Sequence, residues 1–369
     1  MLFYLRRQVS RIRAHLDMPL FVLVLLLMGV GLATVYSATH SAGVGRLDKQ
    51  IVNMLIALAF MLAAAQVAPQ KIMRLALPFY LLGLVLLIGV ALFGVTVNGS
   101  RRWLSLVVVN IQPSEIMKIA MPMMLAWFFH NCEPEPRLKH FAIAAGILLL
   151  PTLLILKQPD LGTSLLVGAA GFLVIFFAGL SWKIILGAMF SAIAALPLVW
   201  SFVLHDYQRR RILTLFDPAS DPLGAGYHII QSSIAIGSGG VLGKGWLKGT
   251  QTHLEFIPEK HTDFIFAVLS EEWGLLGGSL LLVLFIALVG RGLMIAVAAP
   301  TLFSRLLAAA ISLMLFLYAF VNMGMVSGIL PVVGVPLPFI SYGGTALVTL
   351  SIGVGILMSI RTHRTLGKK

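Results

Sequence analysis

Charge is scarce in this sequence. Only 11% of its 369 residues are Asp, Glu, Lys or Arg, and 59% are hydrophobic, whereas a soluble domain carries about one charged residue in four. That excludes a water-soluble globular fold, whose core could not enclose so much apolar surface. Cysteine is nearly absent as well. Cys132 stands alone, so neither an intramolecular disulfide nor a thiolate metal cluster can form, and it reads as a spare loop thiol. Several chemical signatures are missing. Gly240 to Gly245 looks like a phosphate loop, but Lys244 is followed by Gly245 instead of Ser or Thr, so no nucleotide site follows. His253 and His261 occur without HExxH spacing, which leaves a zinc hydrolase unsupported. Ser232, Ser233 and His228 are neighbours without a nucleophile elbow. There is no solenoid period or strong internal repeat. No small-residue cleavage pattern follows Arg6, Arg7, Arg11 and Arg13, so the first apolar run is expected to stay in the protein.

What is present is a succession of apolar runs at membrane-crossing length. They predict an all-α integral membrane protein, residues 1–369 forming one polytopic domain. About ten spans are expected, near 19–38, 51–68, 75–94, 114–131, 141–156, 161–179, 184–204, 264–289, 303–327 and 340–360. The formal charge of +13 is distributed at span ends, where basic residues orient the chain and touch lipid headgroups, so nucleic acid is not an expected partner. Alternate sides carry 15 and 5 Lys and Arg residues when the long loop is left out. This bias predicts that both termini are cytoplasmic and that residues 205–263 face outward.

That long loop has its own organisation. Asp217, Pro218, Asp221, Pro222 and Gly224 supply turn chemistry, and Tyr227 to Ile236 predict a short interfacial helix. Gly237, Gly239, Gly240, Gly243, Gly245 and Gly249 then crowd together, which suggests close backbone approach to a ligand or to the membrane surface. Two shorter loops on the same side complete the candidate cavity. Leu104 to Ile111 alternate as a small hairpin or a re-entrant edge, and Pro331, Gly334, Pro336 and Pro338 interrupt the apolar sequence before the last span.

Charged groups cluster at that end. Glu115 and Lys118 are three residues apart and share a helix face, either as a structural ion pair or as part of a functional cavity. Asp160 suits the N-cap of the sixth span, a role compatible with contact to a cation or substrate. Glu255, Glu259, Lys260, His261 and Asp263 converge where the chain re-enters the bilayer. Asp263 is the best candidate for a general base, with a helix cap as the alternative. Glu271 and Glu272 lie deeper and suggest a polar seam. Arg209, Arg210 and Arg211 follow His205 and Asp206, and their planar forks suit either a pyrophosphate or anionic lipid.

The stretches Gln112–Lys118, Gln158–Thr163, Asp217–His228, Ile236–Gly240, Gly249–Gln251, 258–264 and Pro338–Gly344 together resemble the SEDS family (shape, elongation, division and sporulation). The match runs in order over nearly the whole chain. The short N-terminal tail, the Asp206–Gln208 segment and the ending Ser359–Arg364 resemble its rod-elongation branch more than its division branch. The resemblance implies a peptidoglycan glycosyltransferase of the bacterial cytoplasmic membrane, polymerising lipid II into a growing glycan strand at the outer face. It implies Asp263 as the catalytic carboxylate and puts functional positions on Glu115, Lys118, Asp160 and Glu255. His261, Arg101, Arg102 and Arg209 to Arg211 are further candidates for substrate contact. Many relatives carry a basic residue where this chain has Asn110, so Arg101 or Arg102 is expected to stand in. No cofactor is required by this chemistry, while a magnesium or manganese ion on Glu115, Asp160 and Asp263 stays an open alternative. A class B penicillin-binding transpeptidase and other elongation-complex membrane proteins are the implied partners. The rival readings are a lipid flippase or transporter, and a noncatalytic scaffold.

Overall fold

Each apolar run becomes a helix, because a backbone in lipid must satisfy its own hydrogen bonds. The computed structural model describes residues 15–40, 45–97, 100–106, 109–132, 136–158, 160–203, 206–221, 224–254, 256–257 and 259–363. The first three long helices are α1 (Met18–Thr39), α2 (Gly45–Ala65) and α3 (Pro69–Phe93). An antiparallel ribbon of β1 (Val95–Val97), β2 (Ser100–Leu106) and β3 (Val109–Ile111) follows, pairing in the order β1-β2-β3. Next come α4 (Pro113–His130), α5 (Leu138–Lys157), α6 (Leu161–Phe177) and α7 (Trp182–Leu198). The long loop holds α8 (Asp206–Phe216), α9 (Ala225–Gly239) and the single turn α10 (Thr250–His253). Then α11 (Ile265–Val297), α12 (Leu302–Val326) and α13 (Thr345–Thr362) close the chain. Among the described residues seven of these helices are long and apolar enough to cross a membrane, and α6 and α7 are shorter apolar helices.

The expected hairpin is β2 paired with β3, Leu104 opposite Ile111. The short helix expected over Tyr227 to Ile236 is α9. Helix ends differ from expectation where charge sits on a helical turn. Helix α2 starts at Gly45 rather than near residue 51, and α3 starts at Pro69 rather than near 75, because Asp48, Lys49, Lys71 and Arg74 lie on turns that continue past the apolar zone. Helix α11 likewise runs to Val297, and Arg291 on it grips Asp17 through Nε at 3.1 Å and Nη2 at 2.6 Å. Such a two-point guanidinium clamp fixes α11 against the start of α1.

The bundle centres on α12 and α13, the most enclosed spans, with α4 packed beside them. Helix α4 is short and carries Glu115 and Lys118, yet most of it is buried, since its polar turn faces protein instead of lipid. By contrast α7 has no buried residue, and an apolar helix exposed all round is at home only in lipid.

The long loop is tied to the bundle through a break in α11. Gly274 has φ 65° and ψ −160°, which interrupts the helix. In an unbroken helix the carbonyls of Glu271 and Glu272 would accept from the N–H groups of Leu275 and Leu276. Here Lys244 N donates to Glu271 O at 3.0 Å and Gly245 N to Glu272 O at 2.9 Å. Leu275 N donates to Gly240 O at 2.9 Å and Leu276 N to Val241 O at 3.2 Å. The loop backbone thus satisfies all four groups that the break releases. The close backbone approach expected of the glycine cluster is made, among the described residues, to the broken helix. Side chains add to the seam. The Glu271 carboxylate accepts from Lys244 Nζ at 2.8 Å, Gln251 N at 2.9 Å, Thr252 N at 3.1 Å and Thr252 Oγ1 at 2.8 Å, and Glu272 accepts from Ser37.

Two glycines separate backbone strain from crowding. Gly240 (φ 56°) has open space where a Cβ would go, while a Cβ on Gly243 (φ 78°) would strike the Glu272 carbonyl. Both alanine variants carry strain of about 1–2 kcal/mol. Gly243→Ala is expected to lower the thermal midpoint well beyond Gly240→Ala, because only it must also break the seam. Equal midpoints would remove the close-approach argument.

Candidate functional site

A cavity of about 250 Å³ opens at the loop end of the bundle. Arg102 on β2, the first turns of α4 and α6, Asp263 before α11, Tyr318 on α12 and residues 334–343 surround it. Pro113 starts α4 at its first turn, where a missing N–H costs nothing, and the turn aims Glu115 and Lys118 inward. Lys118 pairs with Glu115 and also lies 5.1 Å from the centre of the Tyr318 ring. The second Glu115 oxygen, Oε2, has no hydrogen-bond partner among the described residues. Asp160 caps α6 by accepting from Thr163 N at 3.1 Å. Its other oxygen accepts from Gln112 Nε2 at 3.2 Å and faces Arg102 Nη1 at 3.8 Å. The cap and the cavity contact coexist on one carboxylate.

Asp263 is not a cap. The N-cap of α11 is Phe264, and it receives no side-chain hydrogen bond. The backbone around Asp263 is instead clamped at three consecutive carbonyls. His261 O accepts from Tyr342 N at 2.8 Å, Thr262 O from Ser341 Oγ at 2.7 Å and Asp263 O from Asn322 Nδ2 at 2.8 Å. A side chain on so fixed a backbone is preorganised. Burial, with a smaller contribution from the Glu259 charge, pushes the Asp263 carboxyl up to about 6, while Arg211 opposes the shift. The carboxyl remains partly accessible from the cavity although protein surrounds it. A carboxylate of that strength at neutral pH is charged and a better proton acceptor than an ordinary one.

Five of the expected residues therefore meet at the cavity: Arg102, Glu115, Lys118, Asp160 and Asp263. His261 sits beside them with its ring 5.6 Å from that of Tyr342, and burial and then the Arg46 charge hold its imidazole below the usual value. The arginine run lies on α8. Arg209 donates to Ser201 O at 2.9 Å, Arg210 is exposed, and Arg211 reaches the site as a charge felt by Asp263. Arg101 pairs through its backbone with Thr96, and its side chain lies outside the described residues. Glu255 lies outside them altogether. Glu115, Asp160 and Asp263 share the cavity, but among the described residues no three His, Cys, Asp or Glu side chains gather as a metal-ion site.

Sequence reasoning did not find Tyr318, Asn322, Ser341 or Gln50. Gln50 accepts from Gly343 N at 3.2 Å and donates to Ser341 O at 3.3 Å, which steadies the segment that holds Thr262. The available signal was polarity inside an apolar span, as at Asn322, or at its edge, as at Gln50.

Residues 17–366 match the model of the FTSW_RODA_SPOVE family, described as cell cycle proteins. The chain belongs to that family. Peptidoglycan glycosyltransferase MrdB of Escherichia coli (strain K12) is 51% identical over 357 residues, covering 97% of this chain and 96% of that protein. A chain from a structure described as structural coordination of polymerization and crosslinking by a peptidoglycan synthase complex superposes with a TM-score of 0.82 at 33% identity, covering 96% of this chain and 99% of that one. The rod shape determining protein RodA of Thermus thermophilus superposes with a TM-score of 0.71 at 29% identity, over 94% of this chain and 97% of that one. The geometry divides the family's sequence stretches by task. Gln112–Lys118, Gln158–Thr163, 258–264 and Pro338–Gly344 each contribute to the cavity wall. Ile236–Gly240 and Gly249–Gln251 belong to the seam with α11. Within Asp217–His228 a Cβ on Gly226 would strike the Pro218 carbonyl, so that stretch folds the loop itself.

Proposed function

We propose that this chain is a peptidoglycan glycosyltransferase that polymerises lipid II into glycan strands during cell elongation. The observation that carries the reading is Asp263: one clamped carboxylate, raised toward neutrality, facing a cavity that also holds Arg102, Glu115, Lys118 and Asp160. The Lys and Arg bias supports cytoplasmic termini and a cavity opening at the outer face of the cytoplasmic membrane. The neighbour from a synthase complex supports a transpeptidase of the class B penicillin-binding type as partner.

In the mechanism the Asp263 carboxylate takes the proton of the acceptor 4-hydroxyl as that oxygen attacks C1 of the donor sugar. The C1–O bond to the diphosphate breaks with inversion, and its electron pair leaves with undecaprenyl diphosphate. This leaving group is already a stable anion, so no second carboxylic acid is needed, unlike in glycoside hydrolysis. Its charge is met by Arg102 at the cavity and by Arg211 on α8. Lys118 contributes less net charge than its position suggests, because Glu115 neutralises it. The isoprenoid tail stays in the bilayer beside the apolar spans.

The test uses purified full-length protein with labelled lipid II, alone and with its transpeptidase partner. Glycan ladders are expected on a gel in at least one arm. Absence of polymer in both arms, with protein that is monodisperse and folded, would overturn the assignment.

A further inference from the structure

Asn322 is fully buried on α12, one turn before its end. Its amide nitrogen donates to backbone carbonyls of two different segments, Asp263 O at 2.8 Å and Val335 O at 2.7 Å. Because both acceptors are carbonyl oxygens, the amide orientation is fixed by chemistry; turned over, Oδ1 would face two like oxygens. Oδ1 itself has no hydrogen-bond partner among the described residues. A position serving packing alone has no reason to keep an unpaired buried acceptor, since an aliphatic side chain fills the same space without one.

The two carbonyls belong to separate segments of the cavity lining. One is on the clamped turn that ends in Asp263. The other follows Gly334 (φ 73°), which approaches the acid so closely that a Cβ there would lie 3.3 Å from Asp263 Oδ2. A single nitrogen thus ties the reacting carboxylate's backbone to the segment packed beside it. We propose that Asn322 is a positioning residue that sets the spacing between the Asp263 carboxylate and the 331–344 segment, and thereby how the acceptor hydroxyl meets its base. This rests on the reading of Asp263 as that base.

The experiment measures initial rates with labelled lipid II for full-length wild type, Asn322→Ala, Asn322→Asp and Ser312→Ala, each with the partner transpeptidase and each normalised to folded protein by size exclusion and melting. Ser312 is a control on the same helix whose hydroxyl is spent within it, on Ala308 O at 2.7 Å. Both Asn322 variants are expected to lose about 10²-fold in kcat, the usual cost of a misplacement near 1 Å, with KM little changed. The acidic limb of the Asn322→Ala pH profile is expected to move down as the slackened wall admits water to Asp263, whose neighbouring charges Glu259 and Arg211 are untouched. Ser312→Ala should keep wild-type kcat. Asn322→Asp is nearly isosteric and carries the test if the alanine variant does not fold. A kcat per folded molecule equal to wild type, a change in KM alone, or loss of folding in both variants would overturn the proposal. Asp263→Asn, run alongside, separates the two readings: if it stays active, the base assignment fails; if it is inactive while the Asn322 variants are normal, only the positioning role fails.

Discussion

Asp263→Asn is expected to reduce glycan polymerisation by about 10²- to 10⁴-fold while lipid II still binds, because the amide fills the same space but cannot take a proton. The wild-type rate should carry the signature of the same group. A general base works ionised, and with its carboxyl raised from 3.8 to about 6, kcat/KM is expected to fall about tenfold for each pH unit below that value and to level off above it. The stability effect has the opposite sign. A carboxyl raised on folding favours the protonated folded state, so its contribution is fully present below 3.8 and is lost as pH rises through about 6. At pH 8 the wild type bears that loss, on the order of 3 kcal/mol, and the amide does not. The inactive variant should therefore melt above wild type at pH 8, with the gap closing toward pH 4. A pH-independent difference in melting, or a rate flat through pH 6, would show that Asp263 is not held as the structure holds it.

The spans were legible because each helix had to be apolar over its crossing length, and the ends were not, because polar turns at Lys49, Lys71 and Arg291 continue the helix beyond the bilayer. Glu115 with Lys118 and the Asp160 cap were readable from local spacing. The identity of Asp263 was harder. Its position before a helix suggested a cap, and only the three-dimensional partners show that Phe264 takes that place. The glycine cluster shows the limit most clearly. Its composition announced a close backbone approach, but the thing approached is Gly274, the far side of which bonds back to residues 240 and 241. No periodicity could connect them, since Gly274 looks from sequence like one more small residue in a span. Asn322 was hidden for a related reason: its two acceptors are backbone carbonyls of distant segments, and backbone groups leave no mark in composition.

Lys118→Ala is expected to be the most destabilising single change at the site. Lys118 is 2% exposed and Glu115 8% exposed, so removing the ammonium leaves a buried carboxylate with an already unpartnered oxygen. Breaking a buried pair in this way costs about 3–5 kcal/mol. Replacing both partners by neutral side chains of similar volume, Glu115→Gln with Lys118→Met, removes the unpaired charge and should restore most of the thermal midpoint. Activity then decides what the pair is for. If it only lets α4 begin inside the bundle, the rate should return with the fold. We expect a folded double variant with kcat lowered by about 10²- to 10³-fold, the scale for loss of one preorganised electrostatic contact, because the pair lines the same cavity as Asp263 and its lysine rests against Tyr318. A double variant that melts and polymerises like wild type would assign the pair to helix support and leave Arg102 and Arg211 as the cations that meet the diphosphate.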